Sequence, residues 1–289
     1  EQLSLVCDKM AKFVGMIVFP NAKINLGLAI TGRRPDGYHD IETVMYPVGW
    51  TDILEIVPSK SGVTELFTSG RRVECPPESN LVMKAYRALD AITMLPPVSI
   101  YLHKVIPDGA GLGGGSADAA FALKALNTML NLGLDYKRLE EIAATIGADC
   151  PFFIRNRPVT ATDTGTTFSP AEISLAGYSI VIAKPAGSVS TREAYSGVKS
   201  YTAPGRVAEA ITRPISSWDG CLINDFEASV AAQLPEITAI KQQLAGMGAV
   251  YTSMSGSGSA VYGLFGCDIL SDDISAKFPG MDIYIGRLD

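Results

Sequence analysis

Residues 107–120 read PDGAGLGGGSADAA, with five glycines between positions 109 and 115, directly before a segment with the composition of a helix. Glycine is favoured where the backbone adopts a positive φ or where a ligand comes close to it. A helix start offers unpaired N–H groups and the positive end of the helix dipole, and both attract anions. The stretch therefore predicts a phosphate-binding loop. A glycine-rich turn that serves only the path of the chain is the alternative.

The chain around this loop is predicted to mix strands and helices. Residues 98–105 alternate between apolar and polar side chains, which is typical of a half-buried strand. Ser116 is the predicted N-cap of a helix that continues to Leu130. Because strands and helices do not alternate strictly, we expect an α+β architecture with helices on one face of each sheet. The remaining predicted strands cover residues 16–19, 24–30, 42–48, 52–57 and 178–183. The remaining predicted helices cover 80–93, 135–146, 208–212 and 225–243, and residues 251–265 suggest a hairpin.

Length and composition limit the class of protein. The 289 residues fit two associated domains, which we place at 1–157 and 158–289 with a turn-rich segment between them. A net charge of −6 argues against a nucleic-acid partner. No apolar run reaches the roughly 18 residues of a membrane span. The five cysteines and two histidines form no zinc pattern, so reduced thiols in the cytoplasm are expected.

The N-terminal residues are interpreted separately. Met16 directly precedes the first predicted strand, so residues 1–15 are a candidate non-native extension. The apolar run at 13–20 is short and is followed by NAKIN, which offers no small-residue cleavage site. We therefore expect a strand here and not a signal peptide.

Two familiar phosphate-binding scaffolds are disfavoured. Residues 109–114 satisfy GxGxxG, but a dinucleotide-binding fold has a first strand that is apolar on both faces. The acidic residue expected about 20 positions later would be Asp135, which instead begins a predicted helix. GxxxxGK[ST] is absent from the sequence, which excludes a P-loop.

Three motifs in order carry a resemblance to a known family. PDGAGLGGGSADAA resembles the second motif of the GHMP kinases, which include galactokinase, homoserine kinase and mevalonate kinase. FPNAKINLGLAI (19–30) resembles their first motif and SMSGSGSAVYGLF (253–265) their third. With GRRPDGYHDIETVM (32–45) and GADCPFF (147–153), the chain is similar to the branch that phosphorylates a cytidine diphosphate-linked methylerythritol. Ala117 departs from the family, which often has a second serine there.

The resemblance implies a two-domain GHMP kinase fold with mixed sheets, each covered by helices, and an active site in the cleft between the domains. It implies ATP and Mg²⁺ as cofactors and the free 2-hydroxyl of the cytidine-linked substrate as acceptor. We expect a cytoplasmic monomer or homodimer that binds small molecules. A homoserine or mevalonate type of kinase is the alternative, and it should lack the GYHD and STREAY segments. A non-catalytic sensor is a second alternative, against which intact Lys23, Asp149 and Ser116 argue.

Lys23 and Asp149 are the catalytic residues that the resemblance implies. Phosphoryl transfer to an alcohol requires that phosphates are held, charge is neutralised and the hydroxyl is oriented or deprotonated. The resemblance places Lys23 beside Asp149, with Asn25 supporting from the same side of its strand by period two. Without the resemblance, the sequence around Asp149 indicates a turn residue. Lys23 would then be a lysine that points into solvent. Whether Asp149 removes the proton or positions the hydroxyl stays open.

The other site residues also follow from the resemblance. Ser116 is a candidate Mg²⁺ contact, and Tyr195 is expected to sandwich the cytosine against Tyr38. Several of the implied assignments have a structural alternative. Asn80 could be only a helix cap, and Lys104 only an exposed strand end. His39 could be a surface-loop residue, and residues 255–259 a hairpin loop. The ATP-binding residues implied are Asn80, Leu81, Lys104, Pro107, Gly109, Gly111, Leu112, Gly113, Gly114, Gly115 and Ser116. The acceptor-binding residues implied are Asn25, Tyr38, His39, Thr191, Tyr195, Gly256, Ser257 and Gly258.

Overall fold

The structure, a computed structural model, describes residues 14–269 and 272–289. Most of the candidate N-terminal extension therefore lies outside the described residues. The strands in chain order are β1 (Met16–Val18), β2 (Asn21–Arg33), β3 (His39–Thr51), β4 (Ile53–Pro58), β5 (Glu65–Gly70), β6 (Val98–Lys104), β7 (Val159–Thr162), β8 (Thr167–Pro170), β9 (Ser179–Lys184), β10 (Tyr251–Met254), β11 (Val261–Phe265) and β12 (Asp282–Arg287). The α-helices are α1 (Leu81–Thr93), α2 (Gly114–Met129), α3 (Tyr136–Ala144), α4 (Cys150–Arg155), α5 (Thr191–Ser196), α6 (Arg206–Ile211), α7 (Glu227–Gln233), α8 (Glu236–Gly246) and α9 (Asp272–Ser275).

The chain divides into two compact units and passes between them several times. Unit 1 contains the described residues up to Ala22, together with Thr51–Ile106 and Gly113–Asn156. Unit 2 contains Lys23–Trp50, Pro107–Leu112 and the described residues from Arg157 onward. The last passage falls between Asn156 and Arg157, and residues 23–50 and 107–112 belong to unit 2. The reason is that β2 and β3 share a sheet with β7 and β8, a long-range pairing that sequence periodicity does not reveal.

Unit 1 is built on one mixed sheet of order β1-β4-β6-β5. β5 runs parallel to β6, and the other pairs are antiparallel. The predicted alternation of β6 is confirmed, because Ile100 and Leu102 are buried while Tyr101 and His103 are exposed. Helix α2 packs on β1 and β4 and so covers this sheet.

Two helices of unit 1 begin differently from each other. Asn80 caps α1, which is the alternative given for this residue, because its side chain accepts a hydrogen bond from the Val82 amide at 2.9 Å. Helix α2 begins at Gly114, after Gly113 in the left-handed conformation with φ 70°. The predicted N-cap Ser116 is therefore wrong, and Ser116 lies in the first turn. Glycine adopts this conformation without the steric cost that other residues incur, so the chain turns into the helix three residues early.

Unit 2 contains two sheets, of orders β2-β3-β7-β8 and β10-β11-β9-β12. The helix predicted over 225–243 is two helices, α7 and α8, with Pro235 between them. Proline lacks an amide hydrogen and its ring clashes with the preceding turn, which interrupts the helix. Helix α8 packs on β10 and β11, where Ile237 and Leu244 join a core that includes Val181 of β9.

Three observations complete the fold. Residues 22–30 of β2 are all buried, so polar side chains on this strand need partners inside the protein. Cysteines 75, 150, 221 and 267 are free thiols. In the part of the chain that the structure describes, no helix has the length and apolar character needed to cross a membrane.

Candidate active site

β2 carries a lysine into the interior of unit 2. Lys23 is 3% exposed, so the alternative in which it projects into solvent is wrong. Its ammonium donates to Oδ1 of Asn25 at 2.5 Å and to the carbonyl oxygen of Gly111 at 2.9 Å. The two side chains lie on the same side of the strand, as the period of two predicts. A buried cation is costly unless it is hydrogen-bonded, and these oxygens supply that stabilisation.

Asn25 is fixed by bonds on every polar group. Its Nδ2 donates to Oγ1 of Thr43 at 3.0 Å, and this hydroxyl donates onward to the carbonyl of Gly27 at 2.5 Å. Its backbone amide donates to Oγ of Ser255 at 3.2 Å, and its carbonyl accepts from the Tyr262 hydroxyl at 2.9 Å. The donor contact to Thr43 points the amide oxygen of Asn25 towards Lys23. Thr43 and Tyr262 come from other strands, and no local sequence signal marks them.

The glycine-rich loop and the third motif touch within unit 2. Gly111 has φ 73°, and a Cβ there would lie 2.0 Å from the carbonyl oxygen of Ser255, so only glycine fits. Ser255 donates from Oγ to the Gly111 carbonyl at 2.8 Å, and the Ala260 amide donates to the Ala110 carbonyl at 3.1 Å. The predicted hairpin is confirmed as β10 and β11. The loop of this hairpin also contacts the glycine-rich loop. A loop that served only to connect two strands would not need these contacts.

The residues assigned to the cytidine side also lie in unit 2. His39 stacks on Tyr195 with ring centroids 4.5 Å apart and planes 15° apart, while Phe226 meets Tyr195 edge-on at 4.7 Å. The side chain of Tyr38, which is expected to hold the cytosine together with Tyr195, is 67% exposed. Tyr201 is tilted against His39 at 6.3 Å and was not identified from the sequence.

The hydroxyl groups of Thr191 and Ser257 extend this group of residues. Their oxygens lie 3.0 Å apart, which links α5 to the third motif. Thr191 is the first residue of α5, directly after Ser190, which caps the helix in a reciprocal capping box with Glu193. The cap therefore fixes the position of Thr191 at the helix start.

Unit 1 holds the residues at the other end of the glycine-rich loop. A Cβ on Gly147 would lie 3.2 Å from Sγ of Cys150 and 3.9 Å from Oγ of Ser116, so the start of α2 packs closely on this turn. Burial raises the pKa of the Cys150 thiol to about 11, which keeps the thiol protonated. Asp149 occupies the N-cap position of α4, but its side chain makes no capping bond.

Lys104 lies inside unit 1 and not at an exposed strand end. It is 3% exposed, and its ammonium donates to Asp52 and, at 2.8 Å, to Oδ2 of Asp118. Asp52 and Asp118 are equally buried. Oδ1 of Asp118 has no hydrogen-bond partner among the residues that the structure describes. Sequence reasoning missed both aspartates, because a buried carboxylate is recognisable only from its tertiary partners.

The charges of these three side chains shift one another's protonation. Burial lowers the pKa of Lys104, but the carboxylates of Asp118 and Asp52 outweigh this and raise it overall. Burial raises the pKa of Asp118 to about 8, against the opposing effect of Lys104 and with a further increase from Asp52. The single cation is thus shared by two carboxylates, of which one binds a proton more readily than an exposed aspartate does.

A cavity of about 1000 Å³ opens elsewhere in unit 2, between the segment 197–202 and helices α7 and α8. None of the predicted site residues lines it. The two carboxylates among its lining residues, Asp225 and Glu227, already accept hydrogen bonds from Thr202 and Ser253 respectively. Chemistry is therefore better assigned to the Lys23 region and to the turn at Asp149.

The fold and these residues define a class of protein, the small-molecule kinases with a glycine-rich phosphate loop. Residues 80–157 match the GHMP kinases N-terminal domain and residues 205–277 match the GHMP kinases C-terminal domain. The chain belongs to the GHMP kinase family. The predicted α+β fold and kinase activity with ATP as co-substrate are confirmed, and the dinucleotide-binding alternative is excluded.

Individual relatives narrow the similarity within the family. A 4-diphosphocytidyl-2-C-methyl-D-erythritol kinase of Bacteroides fragilis is 52% identical over 267 residues, which cover 91% of this chain and 97% of the relative. A crystal structure of a 4-(cytidine 5'-diphospho)-2C-methyl-D-erythritol kinase has a TM-score of 0.79 and 31% identity, covering 94% of this chain and 99% of that one. A homoserine kinase from Cytophaga hutchinsonii has a TM-score of 0.67 with 18% identity over 95% of both chains, a likeness of fold alone.

The raised pKa of Asp118 predicts a pH-dependent effect of Asp118→Asn on stability. The charged groups that act on Asp118 are Lys104 and Asp52. Between the ordinary carboxyl pKa of about 4 and about 8, the folded protein keeps a proton that the unfolded chain has lost. The free energy of unfolding of the wild type therefore falls as pH rises through this window. Asparagine has no such proton, so the melting temperature of the variant relative to wild type should increase from pH 5 to pH 9 by about 3 °C or more.

Thermal unfolding followed by circular dichroism at pH 5, 7 and 9 measures this difference. Asp219→Asn, at an exposed position, is the matched control and should show a constant offset from wild type. A constant offset for Asp118→Asn as well would contradict the assigned pKa.

Proposed function

We propose that this protein transfers the γ-phosphoryl group of ATP to the free 2-hydroxyl of 4-diphosphocytidyl-2-C-methyl-D-erythritol, a step in non-mevalonate isoprenoid precursor synthesis. The observation that carries the proposal is the stacking of His39 on Tyr195 at 4.5 Å. These residues come from GYHD and STREAY, the segments that a homoserine or mevalonate type of kinase should lack. The 52% identity to a cytidyl-type kinase over nearly its whole length supports the same choice.

Each unit supplies a different part of the proposed chemistry. Unit 1 contains Asn80, Leu81 and the start of α2, to which we assign ATP. Unit 2 contains the aromatic residues, Thr191 and the third motif, to which we assign the cytidyl substrate. The loop 107–116 runs from one unit into the other along the chain. The backbone amides of this loop and the N-terminus of α2 are suited to bind the ATP phosphates.

Lys23 and Asp149 are proposed to act on the transferring group. The acceptor oxygen forms a bond to the γ-phosphorus, the bond from that phosphorus to the bridging oxygen of ADP breaks, and the hydroxyl proton passes to the carboxylate of Asp149. The ammonium of Lys23 stabilises negative charge on the transferring group, because Asn25 and the Gly111 carbonyl hold it in place. The protein thus contributes mainly orientation and charge, as is usual for phosphoryl transfer.

Mg²⁺ fits the donors that this chain offers. Mg²⁺ is commonly held by one or two protein oxygens together with substrate phosphates, and it needs no all-protein cage. The described residues contain no group of three His, Cys, Asp or Glu side chains arranged for a metal. Ser116, which lies in the first turn of α2, would hold the ion together with the phosphates. When bound, it would neutralise phosphate charge.

We further propose a cytoplasmic enzyme, monomeric or homodimeric, without nucleic-acid partners.

Substrate choice tests the function directly. ADP release should be measured separately with 4-diphosphocytidyl-2-C-methyl-D-erythritol, mevalonate and homoserine at saturating ATP. We expect kcat/KM for the cytidyl substrate to exceed the other two by at least about 100-fold, because a site built for a polar group discriminates strongly against substrates lacking it. A preference for mevalonate or homoserine would refute the cytidyl assignment.

Asp149→Asn is predicted to lower kcat by roughly 10²–10⁴-fold, the usual contribution of a positioned base. The change keeps the shape of the side chain and removes the proton acceptor and the charge, so both KM values should stay nearly constant. Lys23→Met should also lower kcat, and the double variant should lose less than the product of the single losses because the residues act as one unit.

Steady-state kinetics on the three variants, with circular dichroism to confirm folding, provide the measurement. The control must change an aspartate whose carboxylate makes no hydrogen bond within the fold. Asp225 does not qualify, because its carboxylate accepts hydrogen bonds from the Ile30 amide and the Thr202 hydroxyl. The exposed Asp219→Asn serves instead. Wild-type kcat for a folded Asp149→Asn would show that Asp149 is not catalytic.

Tyr195→Ala is predicted to raise KM for the cytidyl substrate about 10-fold or more, since aromatic stacking contributes roughly 1–3 kcal/mol per base. KM for ATP should change little. Tyr195→Phe keeps the ring and its contacts with His39 and Phe226, and it should retain most of the affinity. Initial rates with each substrate varied in turn distinguish the cases, and equal losses for both substrates would assign Tyr195 to the fold.

A further inference from the structure

The buried group Asp52, Lys104 and Asp118 in unit 1 joins the two ends of the glycine-rich loop. The resemblance assigns Lys104 to ATP, but it gives no role to either aspartate. All three side chains are at most 3% exposed. A buried ion pair adds little net stability, because the cost of desolvation offsets much of the attraction. Its value here lies in the geometry that it imposes.

One end of the loop is fixed by Asp52. Its Oδ1 accepts hydrogen bonds from the amides of Val105 at 2.5 Å and Ile106 at 2.8 Å, while Oδ2 accepts from Lys104. These amides belong to the last two residues before Pro107. Both oxygens of Asp52 therefore hold the chain where it leaves β6, and neither oxygen can become a donor without losing a bond.

The other end of the loop is fixed by Asp118. This residue lies on α2 and accepts from Lys104 at 2.8 Å through Oδ2 alone. At the first residue of the same helix, a Cβ on Gly114 would lie 3.0 Å from Cγ2 of Ile106 and 3.3 Å from Nζ of Lys104. The backbone at the helix start thus rests directly on the residue that precedes the loop and on the lysine that spans the two ends.

We propose that Asp52, Lys104 and Asp118 form a clamp that sets the spacing between the exit of β6 and the entry of α2, and that Asp52 and Asp118 are positioning residues for ATP. The clamp rests on the proposed function, which assigns the loop to the ATP phosphates. Asp52 acts through the amides of Val105 and Ile106, and Asp118 acts through Lys104. Neither carboxylate needs to touch the nucleotide.

The hydrogen-bond pattern predicts a large loss of ATP affinity for the Asn substitution at position 52 and a small one at position 118. Asp52→Asn places an NH₂ group where an oxygen now accepts, so either the bonds to the backbone or the bond to Lys104 is lost. Asp118→Asn keeps one oxygen for Lys104 and places the NH₂ group where no described residue is bonded. Asp52→Asn should therefore weaken ATP binding at least 10-fold and Asp118→Asn less than 3-fold. Asp118→Ala, which removes the acceptor, should weaken it about 10-fold.

The test is the dissociation constant of ATP, measured by calorimetry without the acceptor, followed by both KM values. The proposal holds if KM for ATP follows the order above while KM for the cytidyl substrate changes less than 3-fold. It is overturned if Asp52→Asn binds ATP within 3-fold of wild type, if both Asn variants lose affinity equally, or if both KM values rise together. Circular dichroism confirms folding. If Asp52→Asn does not fold, Asp118→Ala against Asp118→Asn decides, because both leave the backbone bonds of Asp52 intact.

The two proposals fail in different ways. A wild-type protein that binds no ATP would refute the assigned kinase reaction. If the wild type binds ATP and phosphorylates the cytidyl substrate, and the variants keep the wild-type affinity for ATP, only the clamp is refuted.

Discussion

The burial of the Lys23 ammonium constrains much of unit 2. A cation that is 3% exposed requires oxygen partners, which include Oδ1 of Asn25 and the carbonyl of Gly111. Asn25 can present its oxygen because Thr43 accepts from its nitrogen. The Gly111 carbonyl also accepts from Ser255. One buried charge thereby ties the first, second and third sequence motifs to each other.

The same requirement explains the glycine at position 111. The loop must approach Ser255 so closely that a Cβ would overlap its carbonyl oxygen, and the backbone must adopt φ 73° there. Gly113 then turns the chain into α2. The density of glycine in this stretch thus satisfies packing within the protein and leaves backbone amides near a helix start. Both consequences follow from the absence of a side chain.

Unit 1 treats its buried charge differently. Lys104 has two carboxylate partners, so the group carries one more negative charge than positive charge unless a proton is bound. The raised pKa of Asp118 is the physical result of that imbalance and of burial. Within unit 2, the ammonium of Lys23 donates to two neutral oxygens, Oδ1 of Asn25 and the carbonyl of Gly111.

The sequence by itself determined the local features of this protein. The alternation of β6, the cap at Asn80, the strand period that aligns Lys23 with Asn25 and the helix-forming residues after the glycines depend on neighbours within a few positions. The tertiary structure alone decided that α2 starts early, at Gly114, and that Pro235 separates two helices. It alone decided that most of β2 and β3 belongs to unit 2. It also decided the pairing of His39 with Tyr195 and of Lys104 with two aspartates. The physical reason is that each of these features balances a cost of burial or backbone conformation against partners distant in sequence, and periodicity carries no information about which distant residue that partner is.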